Sequence, residues 1–296
     1  MKVTGKTTEV DFLLIGGGLA SATAAKTLRE QGVEGAVAIL AAEPLLPYHR
    51  PPLTKGFLLG KRPHASLLVL NEAYFRDHGV QVLLGTRALA VEPQKRRVCT
   101  DSAGDFTYRK LLIATGGCPR RLEVPGADLS GIFYLRTLAE AEALQRAMAK
   151  AKRAAVVSSS FIAMELSASF AEQGIKTTLI AREDRLYSKL DSPEISAFFA
   201  DYYRARGVEI VFRETVKTFQ GNGRVERLMA SSGRDLALDL VAAGYPSAAT
   251  PGSLPTTHRG DHGPARAAAH RPDQAQPPLP PNHGRGAPAL HQADRA

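Results

Sequence analysis

The sequence has no tryptophan, and its 296 residues include only two cysteines. So few cysteines exclude a small disulfide-stapled fold and favour a reducing compartment, so we expect a cytoplasmic protein. The apolar runs are much shorter than the ~20 residues that a bilayer span requires. The first residues also lack the apolar core of a signal peptide. No membrane segment is therefore expected.

Aromatic residues are also few, at 6%. Lysine and arginine outnumber aspartate and glutamate by 38 to 29, which gives a net charge of +9. These charges are scattered rather than gathered into a basic stripe, so nucleic acid is not expected as a partner. The hydrophobic share of 44% and the charged share of 23% are ordinary for globular proteins. The length predicts about two domains.

The composition changes after Tyr245. Residues 246–296 contain ten of the nineteen prolines and five of the eight histidines, but no valine, isoleucine, phenylalanine, methionine, lysine or glutamate. Such a segment cannot bury enough apolar surface to offset the entropy of ordering it, so residues 245–296 are predicted to be a disordered tail. The histidines are not spaced as metal ligands, and no metal is expected.

A glycine-rich turn follows a predicted strand near the N-terminus. Val10–Ile15 is predicted to be that strand, Gly16–Ser21 the turn and Ala22–Gln31 a helix. In this setting G-x-G-x-x-S is typical of a dinucleotide site, where the pyrophosphate lies at the positive helix N-terminus. The next strand, Ala36–Leu40, leads to Glu43, where an acid can accept hydrogen bonds from ribose hydroxyls. The alternative is a glycine-rich turn without a ligand.

Three later motifs extend this pattern. They read P-Y-H-R-P-P-L-T-K at 47–55, A-T-G-G-C-P-R at 114–120 and V-P-G-A-D at 124–128. With them, the sequence closely resembles the ferredoxin reductase branch of the FAD-dependent pyridine nucleotide-disulfide oxidoreductase superfamily. That branch includes rubredoxin and putidaredoxin reductases, apoptosis-inducing factors and monodehydroascorbate reductases. The resemblance runs from about residue 11 to residue 244, with Thr54 in place of the serine of the family's motif.

The resemblance implies an α/β fold with two Rossmann-like, three-layer (ββα) nucleotide-binding domains. Residues 1–122 would form the FAD-binding domain, and residues 123–244 an NAD(P)-binding-like domain. In the family, an A-x-G-D strand end and a C-terminal domain come next. No Ala-x-Gly-Asp follows Gly244 here, so we expect a truncated chain with an incomplete FAD-binding domain.

The resemblance also implies an FAD site. The first glycine turn would hold the pyrophosphate, Glu43 the adenosine ribose and Arg50 a phosphate. Lys55 would lie against the isoalloxazine, where a cation stabilises the charge that flavin gains on reduction. Val82 would meet the adenine through its backbone. The residues implied for FAD are Gly16, Gly17, Gly18, Leu19, Ala20, Ser21, Glu43, Arg50, Lys55, Val82, Ala114, Thr115 and Gly116. The alternative for Arg50 and Lys55 is that they are ordinary solvated charges.

A second βαβ unit stands where the family binds NAD(P)H, with predicted strands at Ala154–Val157 and Thr177–Ile180. Ser158, Ser160 and Ala163 replace the glycines of the family's motif. A serine at 158 costs ~1–2 kcal/mol if the turn requires positive φ. A serine at 160 would stand between backbone and pyrophosphate, so affinity is expected to fall by about 10- to 100-fold. Alternatively, the hydroxyls donate to phosphate and recover part of that loss.

Glu165 would face the nicotinamide and act in catalysis together with Lys55. Arg182 follows the next strand, where an arginine can meet a 2′-phosphate and favour NADPH. An ordinary loop charge is the alternative for Arg182. The residues implied for NAD(P)H are Ser158, Ser160, Ile162, Ala163 and Arg182.

Two side-chain groups are interpreted as structural. Cys99 and Cys118 do not form the C-x4-C redox pair of disulfide reductases, so they are interpreted as buried or incidental thiols. Electrons would then pass from flavin directly to the acceptor. Four aromatic residues at 198, 199, 202 and 203 have the spacing of a helix face that packs on the core.

Two functions remain open from the sequence. The first is an FAD-dependent NAD(P)H oxidoreductase that passes electrons to a ferredoxin-like protein or to a small redox acceptor. The second is a catalytically impaired or truncated flavoprotein homologue that binds nucleotide without turnover.

Overall fold

A computed structural model of the chain describes residues 7–190, 192–244 and 247–249. In chain order, the strands are β1 (Thr7–Ile15), β2 (Val37–Leu40), β3 (Val80–Leu83), β4 (Ala88–Glu92), β5 (Arg97–Thr100), β6 (Asp105–Ile113), β7 (Gly117–Pro119), β8 (Ile132–Tyr134), β9 (Arg153–Val157), β10 (Lys176–Ile180), β11 (Val208–Val211), β12 (Val216–Gln220), β13 (Arg227–Ala230), β14 (Asp235–Ala237), β15 (Leu240–Ala243) and β16 (Ser247–Ala249). The helices are α1 (Leu19–Glu30), α2 (Glu72–Asp77), α3 (Leu138–Met148), α4 (Phe161–Glu172) and α5 (Pro193–Arg204), and 3₁₀ turns lie at Pro51–Thr54, His64–Leu67 and Pro93–Lys95.

Two large sheets organise these elements. The first has the strand order β3-β2-β1-β6-β5-β4, with its first four strands parallel and the β4–β5–β6 pairs antiparallel. The second has the order β11-β10-β9-β15-β8 and is parallel throughout. The predicted α/β class is confirmed. The carboxyl ends of the parallel strands carry both candidate nucleotide loops, as open α/β sheets require.

Each sheet is the middle of three layers. In the second sheet, Ala154 and Val156 of β9 pack with helices α3 and α4, whereas Ala155 and Val157 pack with the β12–β14 strands. This alternation follows from the two-residue period of a strand. The parallel strands of the first sheet pack on α1 and α2 on one face, and on the other face they pack with the β4–β5 pair, which continues the same sheet beyond β6. We call the parts of the chain built on the first and on the second sheet the first and the second unit, and both have the ββα layering expected from the sequence.

The structure changes the interpretation of the structural side chains. Phe199 and Tyr203 of α5 pack on the core, but Phe198 and Tyr202 are 62% and 43% exposed, so only half of the predicted core face is buried. Cys99 and Cys118 are free and only partly buried, on separate strands of different sheets. Partial burial raises the pKa of the Cys99 thiol, which keeps it protonated.

The predicted disordered tail lies almost entirely outside the described residues. Its described part, β16, pairs antiparallel with β7, so these three residues depart from the expectation. Over the described ranges, no helix is long and apolar enough to cross a bilayer. The same ranges contain no cluster of three or more side chains that could hold a metal ion.

Glu214 is expected to link the stability of the second unit to pH. Its carboxylate is buried and accepts hydrogen bonds from the Ser231 hydroxyl and from the Ser232 and Thr215 amides, the latter two at 3.1 and 3.2 Å. The Ser231 and Ser232 hydrogen bonds lower the pKa of Glu214 to about 2. Since the unfolded chain binds this proton near pH ~4.3, the stabilisation is present above that pH and is lost as the pH falls towards 2.

Glu214→Gln should therefore lower the free energy of unfolding at neutral pH by ~1–3 kcal/mol and flatten its decline in acid. Urea denaturation of wild type and variant between neutral pH and acid measures both effects. Glu226→Gln, at an exposed position beside the opposite end of the β12–β13 pair, is the control and should leave the profile unchanged. A Glu214→Gln profile parallel to that of the wild type would refute the linkage.

Candidate functional site

The first glycine turn is fixed by close backbone packing. Gly16 has φ of +120°, and a Cβ there would lie 2.2 Å from the Ala114 carbonyl oxygen. A Cβ on Gly17 would lie 2.5 Å from that of Ala41. At Gly18, by contrast, an added Cβ meets nothing within 4 Å. The first two glycines are therefore required by the fold, whereas Gly18 borders open space.

The helix that follows this turn begins without a side-chain cap. Gly18 is the N-cap of α1, and the first turn of α1 has no acidic residue. The other four helices in the described ranges each begin at a side chain that accepts a backbone N–H. The first N–H groups of a helix have no partner inside it, so the start of α1 is suited to an anion such as a phosphate. Ser21 adds a buried hydroxyl that has no hydrogen-bond partner among the described residues.

Glu43 and Arg50, predicted to contact different parts of FAD, contact each other. One oxygen of Glu43 accepts from Arg50 at 2.7 Å, and the other accepts from the Tyr48 hydroxyl at 2.6 Å. Burial and this hydrogen bond raise the pKa of Tyr48. Arg50 also donates to the Arg136 carbonyl at 2.6 Å. Each Glu43 oxygen keeps a lone pair that can accept from a ribose hydroxyl. The contacts with Arg50 and Tyr48 therefore orient the Glu43 carboxylate without blocking it.

Arg136 was not predicted as a site residue from the sequence. Its guanidinium lies 3.2 Å from where a Cβ of Gly116 would stand, beside the turn that follows β6. Its backbone carbonyl accepts from Arg50 and its backbone N–H donates to Glu140, but among the described residues its guanidinium forms no ion pair with a carboxylate. Burial and the nearby Arg50 charge lower its pKa, as expected for two cations held close together. An anion between Arg50 and Arg136 would relieve that repulsion.

The remaining predicted FAD residues lie at the carboxyl edge of the first sheet. Ala114 donates its N–H to the Ile15 carbonyl at 2.8 Å, which holds the 114–116 turn against the first glycine turn. Thr115 and Gly116 are exposed beside it. Val82 lies on β3 in register with Ile39 of β2, and two strands, β2 and β1, lie between β3 and β6. The structure thus places Val82 and the 114–116 turn, like the first glycine turn, at the carboxyl edge of the first sheet.

A lysine–glutamate pair joins the first unit to the second. The Lys55 ammonium lies 2.8 Å from one oxygen of Glu165, and the Thr54 hydroxyl lies 2.5 Å from the other. Lys55 follows the 3₁₀ turn Pro51–Thr54, and Glu165 lies in the second turn of α4. These two predicted catalytic residues are therefore in direct contact, 110 positions apart in the sequence.

The turn between β9 and α4, at residues 158–160, is the second candidate nucleotide loop. Its backbone resembles that of the first glycine turn, but serines take the place of glycines. Ser158 has φ of +123°, close to the value at Gly16, so the predicted strain is present. Ser160 differs from the expectation, because its hydroxyl caps α4. It accepts the Ala163 N–H at 3.2 Å and donates to the Gly244 carbonyl. Ile162 is partly buried in α4. A glycine at 160 would lack this hydroxyl and would leave the start of α4 without its side-chain cap.

Two residues of opposite charge, Arg182 and Glu183, follow the end of β10. Arg182 is 81% exposed and lies 3.6 Å from Glu183. Glu183 accepts the Ser159 hydroxyl at 2.7 Å. Although burial raises the pKa of Glu183, the bonds from Ser159 and Arg182 bring it below its usual range. From the sequence, Glu183 is an acid displaced from its usual place at this corner, and Arg182 rather than Glu183 was predicted as the site residue; the position of Glu183 after the second strand of a βαβ unit is the relevant signal.

Comparison with known proteins agrees with this arrangement. The profile of the pyridine nucleotide-disulphide oxidoreductase family matches residues 10–254. A 5,5′-dehydrodivanillate O-demethylase ferredoxin reductase subunit from Sphingobium is 35% identical over 79% of this chain and 57% of its own length. Peroxisomal monodehydroascorbate reductase 4 from Arabidopsis thaliana is 33% identical over 79% of this chain and 51% of its own length. The chain thus spans about half the length of these relatives.

Solved structures show the same similarity. The covalent putidaredoxin reductase–putidaredoxin complex contains a chain with a TM-score of 0.77 and 29% identity, covering 80% of this chain and 58% of the other. A ferredoxin reductase from Rhodopseudomonas palustris has a TM-score of 0.77 and 31% identity, covering 80% of this chain and 59% of the other. The resemblance found from the sequence motifs is confirmed: this chain belongs to the pyridine nucleotide-disulphide oxidoreductase family.

Proposed function

We propose that this chain is an FAD-dependent oxidoreductase that takes hydride from NAD(P)H and passes electrons to a ferredoxin-type protein. The observation that supports this proposal is the presence of two features in the same chain. The start of α1 has no side-chain cap and borders open space at Gly18, and Lys55 forms an ion pair with Glu165. The first is what a pyrophosphate needs, and the second places a cation near the junction of the two units. Residues 1–122 and 123–244 are proposed as the FAD- and NAD(P)-binding domains.

The residues of the first unit fit FAD. Gly16, Gly17 and Gly18 allow backbone to approach the pyrophosphate, and the Ser21 hydroxyl has no partner in the described part of the chain. Beside them lie three predicted groups, Glu43 for ribose, Arg50 for phosphate and Lys55 for the flavin ring. Arg136 joins this set as a second cation for phosphate. Bound FAD would supply the redox chemistry, accepting hydride and releasing single electrons.

Lys55 and Glu165 form the proposed reaction site. Lys55 is half exposed, so its ammonium is available to a ligand while Glu165 holds it in place. Glu165 lies one helical turn beyond the second loop, which puts it on the side where the nicotinamide is proposed to bind. Arg182 and Glu183 lie at the corner proposed for the adenosine ribose, and they favour NADPH and NADH respectively.

The acceptor is proposed from the relatives. They are named as ferredoxin and rubredoxin reductases, and one solved complex joins a relative to putidaredoxin. The net charge of +9 suits an acidic iron–sulfur protein through electrostatic steering. A small one-electron acceptor, as in the monodehydroascorbate reductases, is the second candidate, favoured by the similarity to the Arabidopsis protein.

An anaerobic reduction experiment tests this function. The full-length protein is loaded with FAD, and NADH or NADPH is added while the visible flavin absorption is followed. Bleaching by either nucleotide, followed by reduction of an added [2Fe–2S] ferredoxin, is the expected result. Flavin that binds but is bleached by neither nucleotide would contradict the oxidoreductase activity and support nucleotide binding without turnover.

A further inference from the structure

One face of α4 holds the loop that carries Lys55. Besides Glu165, the Ser169 hydroxyl donates to the Thr54 carbonyl at 2.8 Å, and Glu172 pairs with Lys61. Residues 165, 169 and 172 are spaced at i, i+4 and i+7, so they line one side of the helix. The loop is therefore attached at three successive levels of α4.

Thr54 is the buried centre of this attachment. It is 6% exposed, and Ser169 is 4% exposed. The Thr54 hydroxyl has one proton and two acceptors, the Glu165 carboxylate at 2.5 Å and the Pro51 carbonyl at 3.1 Å. The shorter contact is to a charged acceptor, and charge-assisted hydrogen bonds are the stronger kind, so the proton goes to Glu165.

The hydrogen bond from Thr54 to Glu165 determines which oxygen of the Glu165 carboxylate Lys55 can contact. With one oxygen of Glu165 held by Thr54, the other is directed at the Lys55 ammonium at 2.8 Å. A carboxylate rotates easily about its terminal bond when only one oxygen is held. Lys55 is half exposed and has water as a competing partner, so a rotated carboxylate would leave the ammonium in solvent.

We infer that Thr54 is a positioning residue, which acts through Glu165 to fix the Lys55 ammonium in the reaction site, with Ser169 fixing Thr54 in turn. This role rests on the proposed function for its catalytic consequence, but not for its geometry. Thr54→Val keeps the side-chain shape and removes the hydroxyl. Thr54→Ser keeps the hydroxyl and is the matched control.

The first test needs no turnover. Acetic anhydride labels lysine amines in the flavin-free, full-length protein, and mass spectrometry compares Lys55 with Lys217, an exposed lysine of β12 outside this loop, as the internal reference. In Thr54→Val the Lys55:Lys217 labelling ratio should rise about tenfold, as expected for loss of a hydrogen bond to a charged group. Thr54→Ser should stay within about twofold of the wild type.

The second test measures the catalytic consequence. The rate of flavin reduction at saturating NAD(P)H should fall about tenfold in Thr54→Val and recover in Thr54→Ser, with the nucleotide Kd unchanged in both. A labelling ratio equal to that of the wild type in Thr54→Val overturns the inference, and so does a serine variant that behaves like the valine variant. If wild-type flavin is not reduced at all, the proposed function fails, and the labelling ratio still decides the role of Thr54.

Discussion

Gly18→Val is expected to weaken FAD binding at least ~100-fold, equivalent to ~2.7 kcal/mol, while leaving the flavin-free fold nearly intact. Gly18 adopts an extended backbone with φ of −110°, which valine accepts, and its Cβ would enter space with no protein atom within 4 Å. Valine would therefore fill the space proposed for the pyrophosphate without disturbing its neighbours. Flavin fluorescence quenching measures the affinity, and thermal unfolding measures the fold.

Two comparisons isolate this effect. Thr23→Val introduces the same side chain on the exposed side of α1 and should bind FAD as the wild type does. Gly16→Ala should instead unfold the first unit, because its Cβ would lie 2.2 Å from the Ala114 carbonyl in a backbone conformation with φ of +120°. Unchanged FAD affinity in Gly18→Val would show that the pyrophosphate does not lie at this turn.

The second large effect is expected at the serine loop. The double variant Ser158→Gly, Ser160→Gly should bind NAD(P)H about 10- to 100-fold more tightly than the wild type. Glycine at 158 relieves the strain of φ at +123°, worth ~1–2 kcal/mol, which stabilises the loop with or without nucleotide and so does not itself tighten binding. Glycine at 160 removes the hydroxyl that caps α4 and so frees the helix N-terminus for phosphate. Isothermal titration of the FAD-loaded protein with each nucleotide measures the change.

The single variants separate the two causes. Ser158→Gly should raise the melting temperature, because strain is lost, whereas Ser160→Gly should lower it by the loss of a cap worth ~1 kcal/mol. Only the second should free the phosphate position. FAD affinity, which depends on the other loop, is the internal control. Weaker nucleotide binding in Ser160→Gly would mean that the serine hydroxyl itself contacts the phosphate, which is the alternative left open by the sequence.

Much of the architecture could be predicted from local sequence patterns. Short apolar runs followed by small residues indicated β1, β9 and β10, and the glycine spacing placed α1 directly after β1. These features depend on neighbours within a few positions, so the sequence contains the necessary information. The motif at 47–55 also indicated Lys55 as a candidate site residue, and the structure places Lys55 in contact with Glu165.

The contacts that tune the site could not be predicted, because they join distant segments. Arg50 reaches the carbonyl of a residue 86 positions away, and Thr54 meets a helix 111 positions away. No periodicity reveals such pairs. The cap at Ser160 depends likewise on the Gly244 carbonyl, 84 positions later. Exposure of Phe198 was missed because helical spacing shows which residues share a face, but not where the edge of the core lies.

The first glycine turn is the proposed flavin site, and a direct titration tests this assignment. FAD is added to full-length protein purified free of flavin, and its fluorescence is followed as protein concentration rises. Saturable quenching at one FAD per chain, abolished by Gly18→Val and retained in Thr23→Val, is the expected result. Flavin fluorescence that stays unchanged at every protein concentration would contradict the assignment.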